Sequence, residues 1–301
     1  MEFPHKKSLS NERYNAKECF LAIRGQCIPQ TLGEEITRLC VIRGIRYHPG
    51  FAKELHGLLP EFTRALNSRD IMSNKLPEMN DPEDFPYCIW YPDTATEATY
   101  RALAARCPQM KYLIGRACAV AGHVKLFHEL DLLPESHIAE EARDNQQWEI
   151  YEAIMKAEVR YNAMDDYMRT VFDKPIRGHL NGDTAVRSYL EIKNKYMRPS
   201  DDIWEWFGGR ALGYFDIMED DRIDEYYSET IPPKDDVSHL LYTPLPADLP
   251  TMNKDLLIEM AAYYGDIDRY TRLRRPDPHY TITESHCVVR GIYHNTMFAK
   301  W

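Results

Sequence analysis

The feature that most restricts the fold of this chain is a stretch with one helical pattern on each side of a Gly-His turn. Residues 116–130 read RACAVAGHVKLFHEL. Small and apolar side chains follow helical spacing both before and after Gly122. Glycine adopts the left-handed backbone conformation that ends a helix without steric cost. The stretch therefore predicts a helix, a tight turn at Gly122 and His123, and a second helix.

Copies of this plan are spread over the chain. They cover residues 137–154, 211–227 and 256–273, of which the copy at 211–227 is the weakest. The copy at 137–154 is predicted to turn at Asn145. In the last copy Gly265 takes the place of Gly122, and Asp266 is suited to cap the next helix, because its carboxylate can accept free amide protons. One such unit cannot bury its own apolar face, so the repetition predicts a stack of helix pairs.

A second self-similarity joins the two ends of the chain. Residues 38–53 read RLCVIRGIRYHPGFAK and residues 285–300 read SHCVVRGIYHNTMFAK. When Arg46 is treated as an insertion, the identical residues include the Cys-Val-x-Arg-Gly-Ile run and align His48 with His294. The segment 116–122 fits the same frame, with Cys118 at the cysteine position. We expect one repeated unit to lie near each end of the chain.

These patterns predict an all-α fold, an irregular α-solenoid of stacked helix pairs. No stretch alternates for long enough to predict a sheet. Proline-rich stretches mark the expected boundaries. The predicted segments are a polar tail at 1–17, N-terminal helical units at 18–73, an irregular crossing at 74–93, a central helix-pair array at 94–229, a Pro-rich loop at 230–253 and C-terminal repeat units at 254–301.

In these units a small residue is followed after two positions by Gly, then by Asp or His, and then by a hydrophobic residue, before a Leu-rich second helix. This pattern resembles the ankyrin repeat. It is similar in particular to the divergent ankyrin-like proteins of filamentous fungi. The resemblance implies a protein–protein interaction or scaffold protein that needs no cofactor and binds its protein partner on a surface built from turn residues. The candidate binding residues are Arg116, His123, Asp266, Arg269, Arg272 and Arg275.

Charged and aromatic side chains add detail to this hypothesis. An acidic run at 219–225 and a basic run at 269–275 are either solvated faces or complementary rims of a partner groove. Most of the large aromatic side chains should lie in the core, but any on an open face would be natural anchors for a partner. The aromatic candidates are Trp148, Trp204, Trp206, Tyr263 and Tyr264.

Charge and cysteine content exclude several classes of protein. The formal net charge of −10 disfavours nucleic acid as a partner, since phosphate backbones are repelled by an acidic surface. No segment reaches the roughly 20 apolar residues that span a bilayer, and the first residues have no apolar run like a secretory signal. Seven cysteines without regular spacing argue against a disulfide framework. We therefore expect a cytoplasmic protein, with a nuclear location as the alternative.

An enzyme is the alternative function. Asp165 and Asp166, with Asp183 further along, resemble the paired acidic motifs with which class I terpene cyclases bind magnesium. That alternative is a lyase or cyclase of specialised metabolism with a pocket between helices; a solvated helix start is the structural explanation of the same residues. A regulatory helical protein that binds a small molecule is a third possibility.

Two further groupings could carry chemistry but have simpler explanations. Cys40 with His48, and their repeat at the other end of the chain, could pair as thiolate and base. A catalytic pair has no reason to be duplicated, so we expect these residues to be structural. A histidine-rich group lacks any metal-binding spacing, and we predict no metal site. Its members are His279, Glu284, His286 and His294.

Overall fold

The computed structural model describes residues 15–166, 169–181, 237–250, 254–274 and 282–300. Within these ranges the protein is mainly helical, as predicted, with one small two-stranded sheet. The helices are α1 (Ala16–Ile23), α2 (Glu35–Tyr47), α3 (Pro60–Met72), α4 (Glu97–Arg106), α5 (Lys111–Ala121), α6 (Val124–Glu129), α7 (Ser136–Asp144), α8 (Trp148–Met155), α9 (Asp255–Tyr264), α10 (Ile267–Leu273) and α11 (Ile282–His294). The strands are β1 (Tyr161–Asp165) and β2 (Thr170–Arg177). None of the described helices is both long and apolar enough to cross a membrane.

Three of the predicted helix–turn–helix copies are confirmed as α5–α6, α7–α8 and α9–α10. The turn residues Gly122 and Gly265 have left-handed backbones, with φ of 75° and 64°. In the middle pair the left-handed residue is Gln146, one position after the expected Asn145. The side chain of Asp266 accepts a hydrogen bond from the amide of Arg269, as a helix cap should. The fourth copy, at 211–227, lies outside the described residues.

The prediction that the chain contains no sheet is wrong. Strands β1 and β2 pair antiparallel, with Asp165 opposite Thr170. Strand β1 has only five residues and no alternating pattern, so nothing in its sequence indicates a strand. Its position depends on the rest of the fold: the amide of Tyr161 donates to the carbonyl of Pro134, and Ala163 and Met164 are buried. The hairpin therefore forms by packing against the helices.

The described residues bury three apolar clusters. The central cluster is the largest and gathers α4 to α8 around Trp90 and Tyr100. Residues 87–91, from the stretch expected to be an irregular crossing, are fully part of it. A second cluster lies between α1, α2 and α3, and a third surrounds α9, α10 and α11. Each group of helices thus has a core of its own.

The predicted polar tail and the predicted Pro-rich loop are each described in part. Of the expected polar tail at 1–17, only residues 15–17 are described: Asn15 caps α1 by accepting from the amides of Lys17 and Glu18. Residues 237–250, within the expected Pro-rich loop, bury Leu240 and Leu249. This segment also joins neighbouring parts of the fold, because Arg143 forms an ion pair with Asp248.

The similarity between the chain ends corresponds to a structural duplication. Gly44 in α2 lies against the carbonyl oxygen of Ala22 in α1, and Gly291 in α11 lies in the same way against Ala262 in α9. The backbone bonds at the turn after each helix also agree. In the N-terminal unit the amide of Phe51 donates to the carbonyl of His48 at 3.1 Å; in the C-terminal unit Phe298 donates to Asn295 at 2.9 Å.

This geometry corrects the alignment of the repeats. The two segments match without an insertion, so His48 corresponds to Asn295 and not to His294. Both residues end their helix and bond back to the neighbouring turn: the His48 ring nitrogen lies 3.1 Å from the carbonyl of Ile23, and Asn295 donates to the carbonyl of Gly265 at 2.8 Å. The segment 116–122 does not share this frame, because its glycine ends a helix whereas Gly44 lies inside one.

Candidate functional site

The most unusual group of side chains surrounds Arg116, in the middle of α5. Its guanidinium is fully buried and forms a two-pronged ion pair with Asp166, at 2.5 Å to Oδ1 and 2.9 Å to Oδ2. The Nε atom donates to Glu141 at 3.1 Å. The guanidinium carbon also lies 4.7 Å from the ring centre of Trp90. Such fork geometry makes this one of the stronger classes of charge-assisted contact.

Four parts of the chain meet at this buried centre. Arg116 comes from α5, Glu141 from α7, and Asp166 from the turn after β1. Tyr87, from the segment before α4, donates from its hydroxyl to Asp166 Oδ1 at 2.6 Å. A buried charge is costly unless it is paired and hydrogen-bonded. The centre therefore specifies how the hairpin, two helices and the Tyr87 segment fit together.

A second buried pair lies next to the centre. The carboxylate of Glu135 caps α7 by accepting from the amide of Ile138 at 2.8 Å. It also accepts from the amide of Ala163 in β1 at 3.2 Å and lies 2.6 Å from the ring nitrogen Nδ1 of His137. Glu135 therefore joins the start of α7 to the hairpin.

Burial and charge shift the protonation of two groups here. Burial raises the pKa of the Glu141 carboxyl to about 7, although the neighbouring Arg116 opposes the shift. Burial disfavours the charged form of His137, but the charge and hydrogen bond of Glu135 outweigh it and raise the pKa of this histidine to about 9. Both groups thus retain protons in the folded chain at pH values where the unfolded chain has lost them.

The free energy of unfolding is expected to fall as the pH rises from about 5 to about 9. The unfolded values are 4.5 for Glu141 and 6.5 for His137, so the stabilisation from both shifts is fully present below these values. It is lost as the pH passes through about 7 for Glu141 and about 9 for His137. Urea unfolding of the wild type at pH values of about 5, 7 and 9 measures this decline.

The variant Glu141→Gln separates the two contributions. It should remove the decline between pH values of about 5 and 7 and leave the decline above about 7, which belongs to His137. A wild-type stability that stays constant or increases over the whole range would contradict the assignment.

The candidate catalytic carboxylates do not lie at a solvated helix start. That structural explanation of Asp165 and Asp166 is therefore wrong. Asp165 is the last residue of β1, and both it and Asp166 are buried. Both oxygens of Asp166 accept hydrogen bonds from Arg116. Asp183 lies outside the described residues, and within the described ranges no three His, Cys, Asp or Glu side chains are grouped as a metal site requires.

The residues proposed to bind a partner make contacts within the chain. Arg116 is inaccessible at the buried centre. The His123 ring nitrogen lies 3.0 Å from the carbonyl of Ala95, and Asp266 caps α10. Arg269 donates to the carbonyls of Leu240 and Thr243, and Arg272 donates to those of Leu245 and Pro246. These two arginines attach residues 237–250 to α10, and Arg275 lies outside the described residues.

A set of exposed apolar side chains on α9, on α11 and in the turn after α11 is the second candidate site. We call it the C-terminal surface; its members are Leu256, Tyr263, Tyr264, Val289, Ile292, Tyr293 and Met297. Tyr263 and Tyr264 pack edge to face at 5.2 Å, and the ring of His294 lies 5.1 Å from Tyr263 and 5.9 Å from Tyr264. The tyrosine pair is among the aromatic candidates from the sequence, but the exposed residues of α11 are not. The repeated Cys-Val-x-Arg-Gly-Ile sequence is buried in α2 and partly exposed in α11, so the sequence pattern itself does not indicate exposure.

The remaining aromatic candidates do not extend this surface. Trp148 is exposed at the start of α8 and packs edge to face on Tyr151, with ring centres 5.9 Å apart. Trp204 and Trp206 lie outside the described residues, as does the acidic run at 219–225.

A family model matches part of the chain. Comparison with curated proteins and with solved structures finds no match. A family model described as the YKP1 C-terminal domain matches residues 90–189. This range contains Trp90, Arg116, Glu141 and Asp166, so the buried centre lies almost entirely inside it. Over this third of its length the chain is therefore similar to the YKP1 C-terminal domain.

Proposed function

We propose that this protein is a protein-binding scaffold built from ankyrin-like helix pairs, and that the C-terminal surface is its binding site. The observation that supports this is the exposure of large aromatic and aliphatic side chains on two packed helices, α9 and α11. Several large apolar side chains exposed on one part of a protein commonly mark an interaction site. Tyrosines contribute large contact area at a low entropic cost, which is why they are frequent anchors of interfaces.

The packing beneath the surface prepares these side chains for binding. Gly291 lets α11 lie directly on α9, and Tyr270 and Phe298 pack edge to face below with ring centres 5.4 Å apart. Tyr263 and Tyr264 are restrained by their contacts with each other and with His294. Side chains that are already ordered lose less entropy on binding, so the same contacts give higher affinity.

Charge and cysteine chemistry support the proposed partner class and location. The net charge of −10 favours protein partners over nucleic acid. All seven cysteines are free thiols. Free thiols are typical of a reducing environment, which supports our proposal of a cytoplasmic protein, with the nucleus as the alternative.

Capture with a matched pair of variants tests the function. The tagged full chain is used to retain proteins from its source cells at about 0.15 M salt. The retained protein is identified by mass spectrometry, purified and titrated by calorimetry. Replacing both Tyr264 and Tyr293 by Ser should weaken binding by at least about tenfold, because both side chains are exposed anchors.

The control is Tyr242→Ser, an equally polar change at an exposed tyrosine outside the C-terminal surface. It should leave the affinity unchanged. If no purified partner binds, or if the control loses as much affinity as the double variant, the C-terminal surface is not the binding site.

A further inference from the structure

Helix α2 of the N-terminal unit has two buried faces. One face contacts α1, where Gly44 meets the backbone of Ala22. The opposite face contacts α3. There Arg46 donates to the hydroxyl of Ser68 at 3.0 Å, and Arg69 donates to the carbonyl of Arg46 at 2.9 Å. Helix α2 is therefore enclosed between two helices.

Helix α11 of the C-terminal unit repeats only the first of these contacts. Gly291 meets the backbone of Ala262 in α9, as described above. The residues that correspond to the α3-facing side of α2 are exposed, and none of the described helices covers them. The corresponding pairs, with their exposed fractions, are Ile42 (2%) and Val289 (53%), Ile45 (0%) and Ile292 (36%), and Arg46 (0%) and Tyr293 (82%).

We propose that the exposed α11 part of the C-terminal surface, Val289, Ile292 and Tyr293, binds an amphipathic α-helix of a partner protein, in the position that α3 takes on α2. This inference rests on the proposed function and specifies its partner. The argument is the duplication. Helices α2 and α11 make the same close glycine contact on one side, and on its other side α2 is covered by the helix α3. An apolar helix face seated on such a surface is a recurring mode of recognition.

Helix α3 shows what the partner helix should present. Nine of its 13 residues are buried, and among them Phe62, Ala65, Leu66 and Arg69 follow the spacing i, i+3, i+4 and i+7 of one helix face. At its edge, Glu61 forms an ion pair with Arg38 of α2 at 3.1 Å. The α11 residue that corresponds to Arg38 is Ser285, but the exposed Arg290 follows Val289 directly on α11 and offers positive charge beside the apolar residues. The partner helix is therefore apolar on one face and acidic at the edge of that face.

A peptide with the α3 sequence is the direct probe. A fluorescein-labelled peptide of residues 59–73, LPEFTRALNSRDIMS, is titrated with the full chain and followed by fluorescence anisotropy. We expect saturable binding. Val289→Asp and Ile292→Asp should each weaken it by at least about tenfold, because they place a charge in the apolar contact.

Two controls make the result specific. Leu133→Asp, at an exposed leucine outside the C-terminal surface, should leave peptide binding unchanged. A peptide in which Phe62 and Leu66 are replaced by Ser should not bind. Circular dichroism checks that the variants keep their helix content, as expected for substitutions at exposed positions. Absence of saturable binding, or binding that Val289→Asp and Ile292→Asp do not weaken, would overturn the proposal.

Sedimentation equilibrium tests the competing occupant, a second copy of the chain. The chain alone should sediment as a monomer; a dimer that Ile292→Asp dissociates would assign the surface to self-association and overturn the partner-helix proposal. The outcome also separates this inference from the proposed function. If a captured partner depends on Tyr264 and Tyr293 but the α3 peptide does not bind, the scaffold function stands and the helix-binding mode fails.

Discussion

Replacing Asp166 by Ala is expected to lower the free energy of unfolding by about 3–5 kcal/mol. The change removes the two-pronged partner of the buried Arg116 guanidinium, which keeps only its Glu141 carboxyl contact, and it removes the acceptor of the Tyr87 hydroxyl. Leaving one partner of a buried ion pair is far more costly than losing an exposed pair. Urea unfolding followed by circular dichroism measures the effect at a single pH.

Asp173→Ala is the matched control, since Asp173 is an exposed residue of β2 in the same hairpin. It should change the free energy of unfolding by less than about 0.5 kcal/mol. A double-mutant cycle with Arg116→Met should give a coupling energy of about 1–3 kcal/mol, because the two groups are in direct contact. If Asp166→Ala and Asp173→Ala have equal effects, the ion pair does not stabilise the hairpin.

Replacing Gly44 or Gly291 by Ala should destabilise the protein by about 1–3 kcal/mol in each case. A Cβ at Gly44 would overlap the carbonyl oxygen of Ala22 and lie 2.7 Å from the ring of Phe51. A Cβ at Gly291 would overlap the carbonyl oxygen of Ala262 and lie 2.9 Å from the ring of Phe298. In both units the two helices would have to move apart. Urea unfolding of the two variants measures the cost.

The sign of the change is itself informative. Both glycines lie inside helices, where Ala is favoured over Gly by about 1 kcal/mol when no contact interferes. A gain in stability would therefore show that the helices are not in close contact. Ser285→Ala, at an exposed position of α11, serves as the control and should have almost no effect. Similar losses at Gly44 and Gly291 are expected from the duplicated geometry.

The helix pairs could be predicted from the sequence because their signals are local. Helical spacing in α5 and α9 and the glycines that follow them act within one or two turns of the chain. The same is true of the Asp266 cap, whose side chain bonds an amide three residues away. Even the duplication of the chain ends was visible, although the position of His48 in the alignment was decided only by the helix ends in the structure.

The buried centre could not be predicted, because its members are distant in sequence. Arg116 lies 50 residues from Asp166 and 25 from Glu141. An arginine in a helix and a pair of aspartates are each typical of a surface when read alone. Only the packing of the hairpin on α5 and α7 makes them partners. The short strand β1 depends on the same packing and has no sequence signal of its own.

The contrast between α2 and α11 shows the same division most clearly. Local sequence alone determined that both segments are helices with a glycine at the close contact, because helix formation and steric size are properties of the segment. Tertiary structure alone decided that Ile42 is buried and Val289 exposed. Burial depends on which neighbour covers a side chain. Helix α3 covers the face of α2 that contains Ile42, and no described helix covers the corresponding face of α11.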